Sequence, residues 1–320
     1  MSSTATCSQS EHLKSQETGV RLSSWRGHRW VRVFWHHPPA LVGVFIVLFF
    51  AVVALLAPVL APPINPSQPY LIPRTSFIAE PQPPSTQEPF GTTQGQYSLY
   101  YGIVWGTRTA LKVGLLITGL ALLIGGGIGS ICAYLGGWYD ELGQRLVELF
   151  MVFPFLLTAL TLSVVLTPKL HNRMLVGIIA LIIFGWPGYA RLVRGELLSV
   201  KERDYILAAR ALGSPGWRIL LVHIIPNSFY PLLVVAAMDI GAYVLTFAGL
   251  SFLGFGASDG YADWGQLLSN ARNWIPVLDT HWWIVLYPGL ALVLFTLGFT
   301  LIGDALRDAS DPHFQGGSRS

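Results

Sequence analysis

A chain of 320 residues with 52% hydrophobic and only 12% charged side chains carries about half the charge of an average soluble domain. Mean hydropathy is +0.52 and net charge +3, the composition of an integral membrane protein. No basic, aromatic-interleaved surface suggests nucleic acid. Cys7 in a polar tail and Cys132 in an apolar span make no disulfide framework, and no CxxC or His/Cys cluster has metal-site spacing.

Six uncharged runs approach the 20 or so residues that cross about 30 Å of hydrocarbon. They are 40–61, 113–139, 149–168, 174–190, 219–238 and 280–303. The fifth continues beyond Asp239, which predicts a helix near 228–252. The fourth is short and must extend into Arg173 or Arg191, whose side chains can snorkel. Fourteen Lys and Arg residues fall on one side of this topology and four on the other, so both termini are expected in the cytoplasm.

Residues 1–24 are polar, and 25–37 read as an interfacial elbow helix leading into span 1. The long charged segment before span 1, and Pro62-Pro63 after it, predict a retained anchor rather than a cleaved signal. Residues 62–100 hold 9 of the 21 prolines, which predicts an irregular extracytoplasmic loop, either a linker or a contact surface. Gly125 to Gly129 sit in span 2 and suit close helix packing. Pro154 and Pro187 are expected to kink spans 3 and 4. Residues 257–279 are too polar to span; Trp264, Trp274, Trp282 and Trp283 suit an interface belt. Asp304 and Arg307 are spaced to pair. The chain divides into a tail with interfacial helix (1–38), helix 1 (39–61), the Pro-rich loop (62–100), a core of helices 2–6 (101–308) with a cytoplasmic loop at 199–227, and a tail (309–320).

That loop, SVKERDYILAARALGSPGWRILLVHIIPN from Ser199, is the charged island of the chain. Ser199 and Glu202 have capping-box spacing, which predicts a helix over 200–212. Tyr205, Ala208, Ala209 and Leu212 share a face at i, i+3, i+4 and i+7. Gly213 suits the left-handed residue after a helix, and Ser214-Pro215 suit the start of another. A helix this short needs something packed on its apolar face, either the chain's own membrane ends or a soluble partner.

Asp239 is the only charged residue between Arg218 and Asp259. A mid-span carboxylate is costly and either faces a path or bonds a neighbouring helix. Ser251, Phe252 and Gly254, in the break that ends span 5, are candidate gate residues.

AARALG followed by PN resembles the cytoplasmic loop of permeases in binding-protein-dependent ABC importers. YARLVRGELLSVKERDYILAARALG from Tyr189, YLGGWYD from Tyr134, HIIPN from His223, LSFLGFG from Leu250, DWGQLL from Asp263 and GDALRDASDP from Gly303 extend the resemblance over about 100–313. It is closest to the second permease of the dipeptide/oligopeptide group. The resemblance implies an all-α, six-helix membrane subunit of the type I importer fold, in the prokaryotic inner membrane. Tyr205, Ala208, Ala209, Arg210, Leu212 and Gly213 would form the helix that couples to an ATPase. It also implies a second homologous permease as heterodimer partner, two ATPase domains that bind ATP and Mg, and an extracytoplasmic binding protein. No cofactor is expected in this chain. Leu207 stands where the loop motif usually has Glu, and Phe247 where Glu often precedes LSFLG.

The chain has no G-x-x-x-x-G-K-[ST] loop, GxSxG elbow or HExxH, so it is not expected to be an enzyme, and energy must come from another subunit. Nickel, haem or another small solute is the alternative cargo, and an ATP-independent channel or scaffold the alternative class.

Overall fold

The structure is a computed structural model that describes residues 38–76, 78–218 and 225–310. The expected elbow helix at 25–37 and both tails beyond these limits lie outside the described residues. The described residues form helices α1 (Pro38–Leu60), α2 (Leu99–Leu135), α3 (Gly137–Met151), α4 (Phe155–Leu170), α5 (Arg173–Lys201), α6 (Asp204–Ala211), α7 (Ile225–Phe252), α8 (Trp264–Asn270) and α9 (Trp283–Ser310), with shorter turns between. Among them there is no strand, only isolated bridges. Five helices are long and apolar enough to span a membrane, and the bent pair α3 and α4 makes a sixth if it is counted as one broken span.

The spans depart from their expected bounds for physical reasons. The charged pair Arg108 and Lys112 ends the apolar run that predicts span 2, yet α2 begins at Leu99, capped by the Ser98 hydroxyl accepting from Tyr101 N. The two cations are absorbed locally: Arg108 Nε donates to Ala54 O (2.6 Å) and the guanidinium lies 5.2 Å from the Trp105 ring. Lys112 Nζ lies 5.8 Å from the Tyr70 ring. At 37 residues, α2 is roughly 55 Å long and outruns the hydrocarbon. Span 3 is not one helix. It breaks at residues 152–154 and turns by 82°, because Pro154 has no N–H to continue the ladder. By contrast, α5 runs unbroken through Pro187, and extends past Arg191 to Lys201.

Helix packing is organised by small residues. α5 lies along α2, α7 against α9, and α9 against α1. A Cβ on Gly125 would stand 2.2 Å from Trp186 O, and one on Gly129 2.4 Å from Ala190 O. These glycines therefore let two backbones touch, as the glycine run predicts. Gly127, between them, faces open space. At one end of this contact α3 folds back, its Gly143 against Cys132, and Arg194 of α5 grips Asp140 of α3 through two hydrogen bonds of 2.7 Å. The pair is partly buried and bidentate, the strong geometry for arginine and carboxylate. Lys201 Nζ also donates to the carbonyls of Ala133 and Tyr134, at the C-terminal end of α2.

The opposite end is closed by the Pro-rich segment and residues 253–282. Their backbones are stitched by Ile72 N to Gly260 O and Ala262 N to Tyr70 O, both 2.8 Å. Tyr70 stacks on Tyr261, and Arg74 donates to the Tyr97 hydroxyl, which donates to Asp259. Asp263 caps α8 through Gln266 N (2.9 Å), and burial pushes its carboxyl up to about 6. Two tryptophans expected at the membrane interface are core residues instead. Trp264 packs between Phe50 and Phe295, and Trp283 is buried with its Nε1 donating to Thr92 O. Trp282 stays exposed. Asp304 and Arg307 are both exposed and form no ion pair with each other.

Gly125→Ala should destabilise the detergent-solubilised protein by about 1–3 kcal/mol, because the methyl meets backbone that cannot yield. Gly127→Ala should be neutral or slightly stabilising; thermal unfolding of the two variants checks the contact. Arg194→Ala should cost about 1–3 kcal/mol. Arg194→Asp should cost at least as much, the double exchange Asp140→Arg with Arg194→Asp should recover part of that loss, and no recovery would deny a specific ion pair.

Candidate functional site

Two regions carry the candidate residues. The first follows α5. The Ser199–Glu202 capping box is not used: α5 continues through Ser199 to Lys201, and Glu202 is its C-terminal cap. A short turn then leads into α6, so the loop helix has 8 residues instead of the predicted 13. Arg203 O accepts from Ile206 N at 2.9 Å and closes that turn. Asp204 opens α6, where its charge suits the positive end of the helix dipole.

Among the described side chains, the residue that fixes α6 to the body is Ile206. It is fully buried and joins a cluster with Leu197, Val200 and Leu232. The predicted face is not the one that packs inward at Tyr205, which is 41% exposed, or at Leu212, which is 86% exposed. Ala208, Ala209 and Arg210 lie within α6, but their side chains fall outside the described residues. Gly213 adopts φ +77°, the left-handed conformation predicted for it, and nothing stands near a Cβ there. A single helical turn at Gly216–Arg218 follows Ser214-Pro215, with Arg218 N donating to Pro215 O. Among the described side chains, α6 therefore stands on Ile206, with Leu212 exposed just beyond its end.

The second region is a cavity of about 510 Å³ between α5, α7 and the α3–α4 break. Asp239 lines it, half-buried. Tyr189 of α5 is buried, and its hydroxyl donates to Asp239 Oδ2 at 2.6 Å. The walls are aromatic: Phe150, Phe153 and Phe155 from either side of Pro154, Phe184 from α5, and Tyr243 from α7. Tyr243 donates to Gly185 O at 3.3 Å, holding α7 on α5.

Ser251, Phe252 and Gly254 do not join this cavity. They end α7, more than ten residues and roughly 20 Å along the helix from Asp239. Ser251 is fully buried, and its hydroxyl accepts from Ala257 N. The Phe252 carbonyl accepts from Ser269 and Arg272. Gly254 takes φ +91°, with its N–H donating to Ser251 O. Together they form a rigid C-terminal cap docked on α8. Sequence reasoning missed Ile206, Tyr189 and the aromatic walls. The run MVFPF around Pro154 was the available signal, since it places phenylalanines on both sides of a helix break.

Comparison with known proteins fits this architecture. A family model described as the inner membrane component of binding-protein-dependent transport systems matches residues 125–316. A second, the N-terminal transmembrane domain of oligopeptide transport permease C, matches residues 25–84. The dipeptide transport permease DppC of Alkalihalophilus pseudofirmus is 37% identical over 279 residues, covering 85% of each chain. The probable D,D-dipeptide permease DdpC of Escherichia coli is 37% identical across 74% of this chain and 77% of its own. The glutathione permease GsiD of Pectobacterium atrosepticum is 33% identical across 90% and 91%. Among solved structures, the MetNI methionine ABC transporter in inward-facing form superposes with a TM-score of 0.53 at 19% identity, covering 66% of this chain and 97% of that one. That likeness concerns the fold. The helical bundle is consistent with these matches, which show that the chain belongs to the binding-protein-dependent transport permeases and is a multi-pass inner-membrane subunit of an ABC importer rather than an enzyme.

Proposed function

We propose that this subunit forms half of the translocation path of an importer for dipeptides and short oligopeptides. The observation that carries the cargo assignment is the identity to dipeptide permeases along nearly the whole chain. The glutathione permease among the relatives also acts on a small peptide, by its name. A second homologous permease completes the path, because one six-helix bundle offers only one wall of a channel. A binding protein delivers cargo to the end closed by the Pro-rich segment, and both termini face the cytoplasm. The domain limits given above, with the coupling loop at 199–227, serve this reading.

In the proposed mechanism, α6 is the coupling helix. ATP and Mg bind to the ATPase subunits, whose closure moves α6. Two features support this. Leu212, directly after α6, is exposed although a large apolar side chain is costly to leave in water. Ile206 fastens α6 to the cluster that contains Tyr189, so a push on α6 reaches the helix that holds Asp239. Alternating access then follows as α5 and α7 rock against the rest.

Gly213→Asp should abolish peptide uptake in proteoliposomes while leaving insertion intact. Gly213→Asn, which tolerates the left-handed conformation without charge, should retain much of the uptake. ATP hydrolysis by the complex should persist in the aspartate variant but lose its dependence on peptide. Normal uptake by Gly213→Asp would remove α6 from the coupling role.

A further inference from the structure

We propose that the cavity between α5, α7 and the α3–α4 break is a binding subsite for a protonated amine on the transported molecule, with Asp239 as its recognition residue. The inference rests on the importer reading above and names the chemistry its path selects.

The first observation is the placement of charge. Among the described residues, Asp239 is the only charged one lining the cavity. Only one of its oxygens is engaged: Oδ2 accepts from Tyr189, and no hydrogen bond from a described residue reaches Oδ1. No cation among the described residues lies within ion-pair distance of it. A carboxylate in an apolar span is expensive without a positive partner. The structure supplies a neutral donor instead of a cation and leaves one acceptor for something that enters.

The second observation is independent of the carboxylate. The walls are aromatic pairs, with Phe150 5.6 Å from Phe184 and Phe155 6.2 Å from Tyr243 between ring centroids. Aromatic faces carry negative potential and attract ammonium or guanidinium groups, more strongly where water is scarce. An aromatic box alone would accept any apolar group. An aromatic box with one carboxylate favours a cation carrying apolar bulk. A volume near 510 Å³ admits a ligand of dipeptide size, not an ion alone.

The third observation concerns how the site opens. Phe150 and Phe153 lie at the break in the third span, where Pro154 removes the hydrogen bond that would keep the helix straight. α3, which carries Phe150, is fastened to α5 by Arg194–Asp140, and α5 carries Tyr189. The wall and the carboxylate's holder therefore move with the same helix. The Tyr189 hydroxyl is a neutral donor to Oδ2 and yields that oxygen when a stronger, charged donor arrives.

The test uses the full chain in lipid nanodiscs, with 2-phenylethylamine and 2-phenylethanol as probes of equal size that differ in charge. Calorimetry should find the amine bound about tenfold more tightly than the alcohol. Asp239→Asn, an isostere that still accepts from Tyr189, should remove the preference. Tyr189→Phe should keep or strengthen it by freeing the second oxygen. Equal binding of the two probes, or an unchanged preference in Asp239→Asn, would overturn the proposal. Loss of preference in Tyr189→Phe would assign recognition to the hydroxyl and overturn it equally. Uptake by the complete importer then separates two sources of the amine. If Asp239→Asn slows Ala-Lys far more than Ala-Ala, a basic side chain is the ligand. If it slows both equally while sparing N-acetyl-Ala-Ala, the N-terminus is. Failure to import any peptide while the amine preference stands would remove the peptide reading alone.

Discussion

Two backbones meet where α2 crosses α5. Gly125 and Gly129 leave no room for a Cβ against Trp186 and Ala190, so the helices approach until their main chains touch. In hydrocarbon, where apolar side chains gain little by leaving lipid, such close packing is a principal source of helix association. Much of the architecture follows from that contact. It brings Tyr189 and Arg194, one and four residues from Ala190, to fixed positions on α5. The first then faces α7 and the second faces α3.

From those positions the polar groups divide the molecule by depth. Near the middle, one carboxylate and one phenol hydroxyl satisfy each other beside an aromatic cavity. Toward the α6 end, Arg194–Asp140 and Lys201 tie three helix ends together. At the far end, the Pro-rich segment and the α8 region exchange backbone hydrogen bonds across more than 180 residues of chain, and shield the core aromatics Trp105, Trp264 and Trp283. Each layer places its charges where a partner, a carbonyl or water can reach them. In this arrangement an aromatic space lies between the cap and the Arg194–Asp140 clamp.

The legibility of each feature depended on the range of the interaction behind it. Local signals held. The apolar runs marked the spans, Gly213 marked a left-handed residue, and the glycines of span 2 marked a close packing site. Signals that required knowing a neighbour failed. Arg108 and Lys112 masked the start of α2 because their partners, Ala54 O and the rings of Trp105 and Tyr70, come from other parts of the chain or another turn. Ser199 and Glu202 have the spacing of a capping box, but α5 is held by packing through that point and overrides the local preference. Trp264 and Trp283 share their composition with interfacial tryptophans and are distinguished only by what covers them.

The sequence by itself determined the membrane composition, the apolar runs, the family resemblance and the left-handed turn at Gly213. Each is set by composition or by residues adjacent in the chain. Only the tertiary structure decided that Asp239 meets Tyr189, that Ile206 anchors α6, that Ser251 is a buried cap rather than part of the cavity, and that the third span bends by 82° at Pro154 to wall an aromatic space. These depend on which faces of separate helices come into register. That register is chosen by close steric fit between distant segments, which the order of residues along one segment does not record.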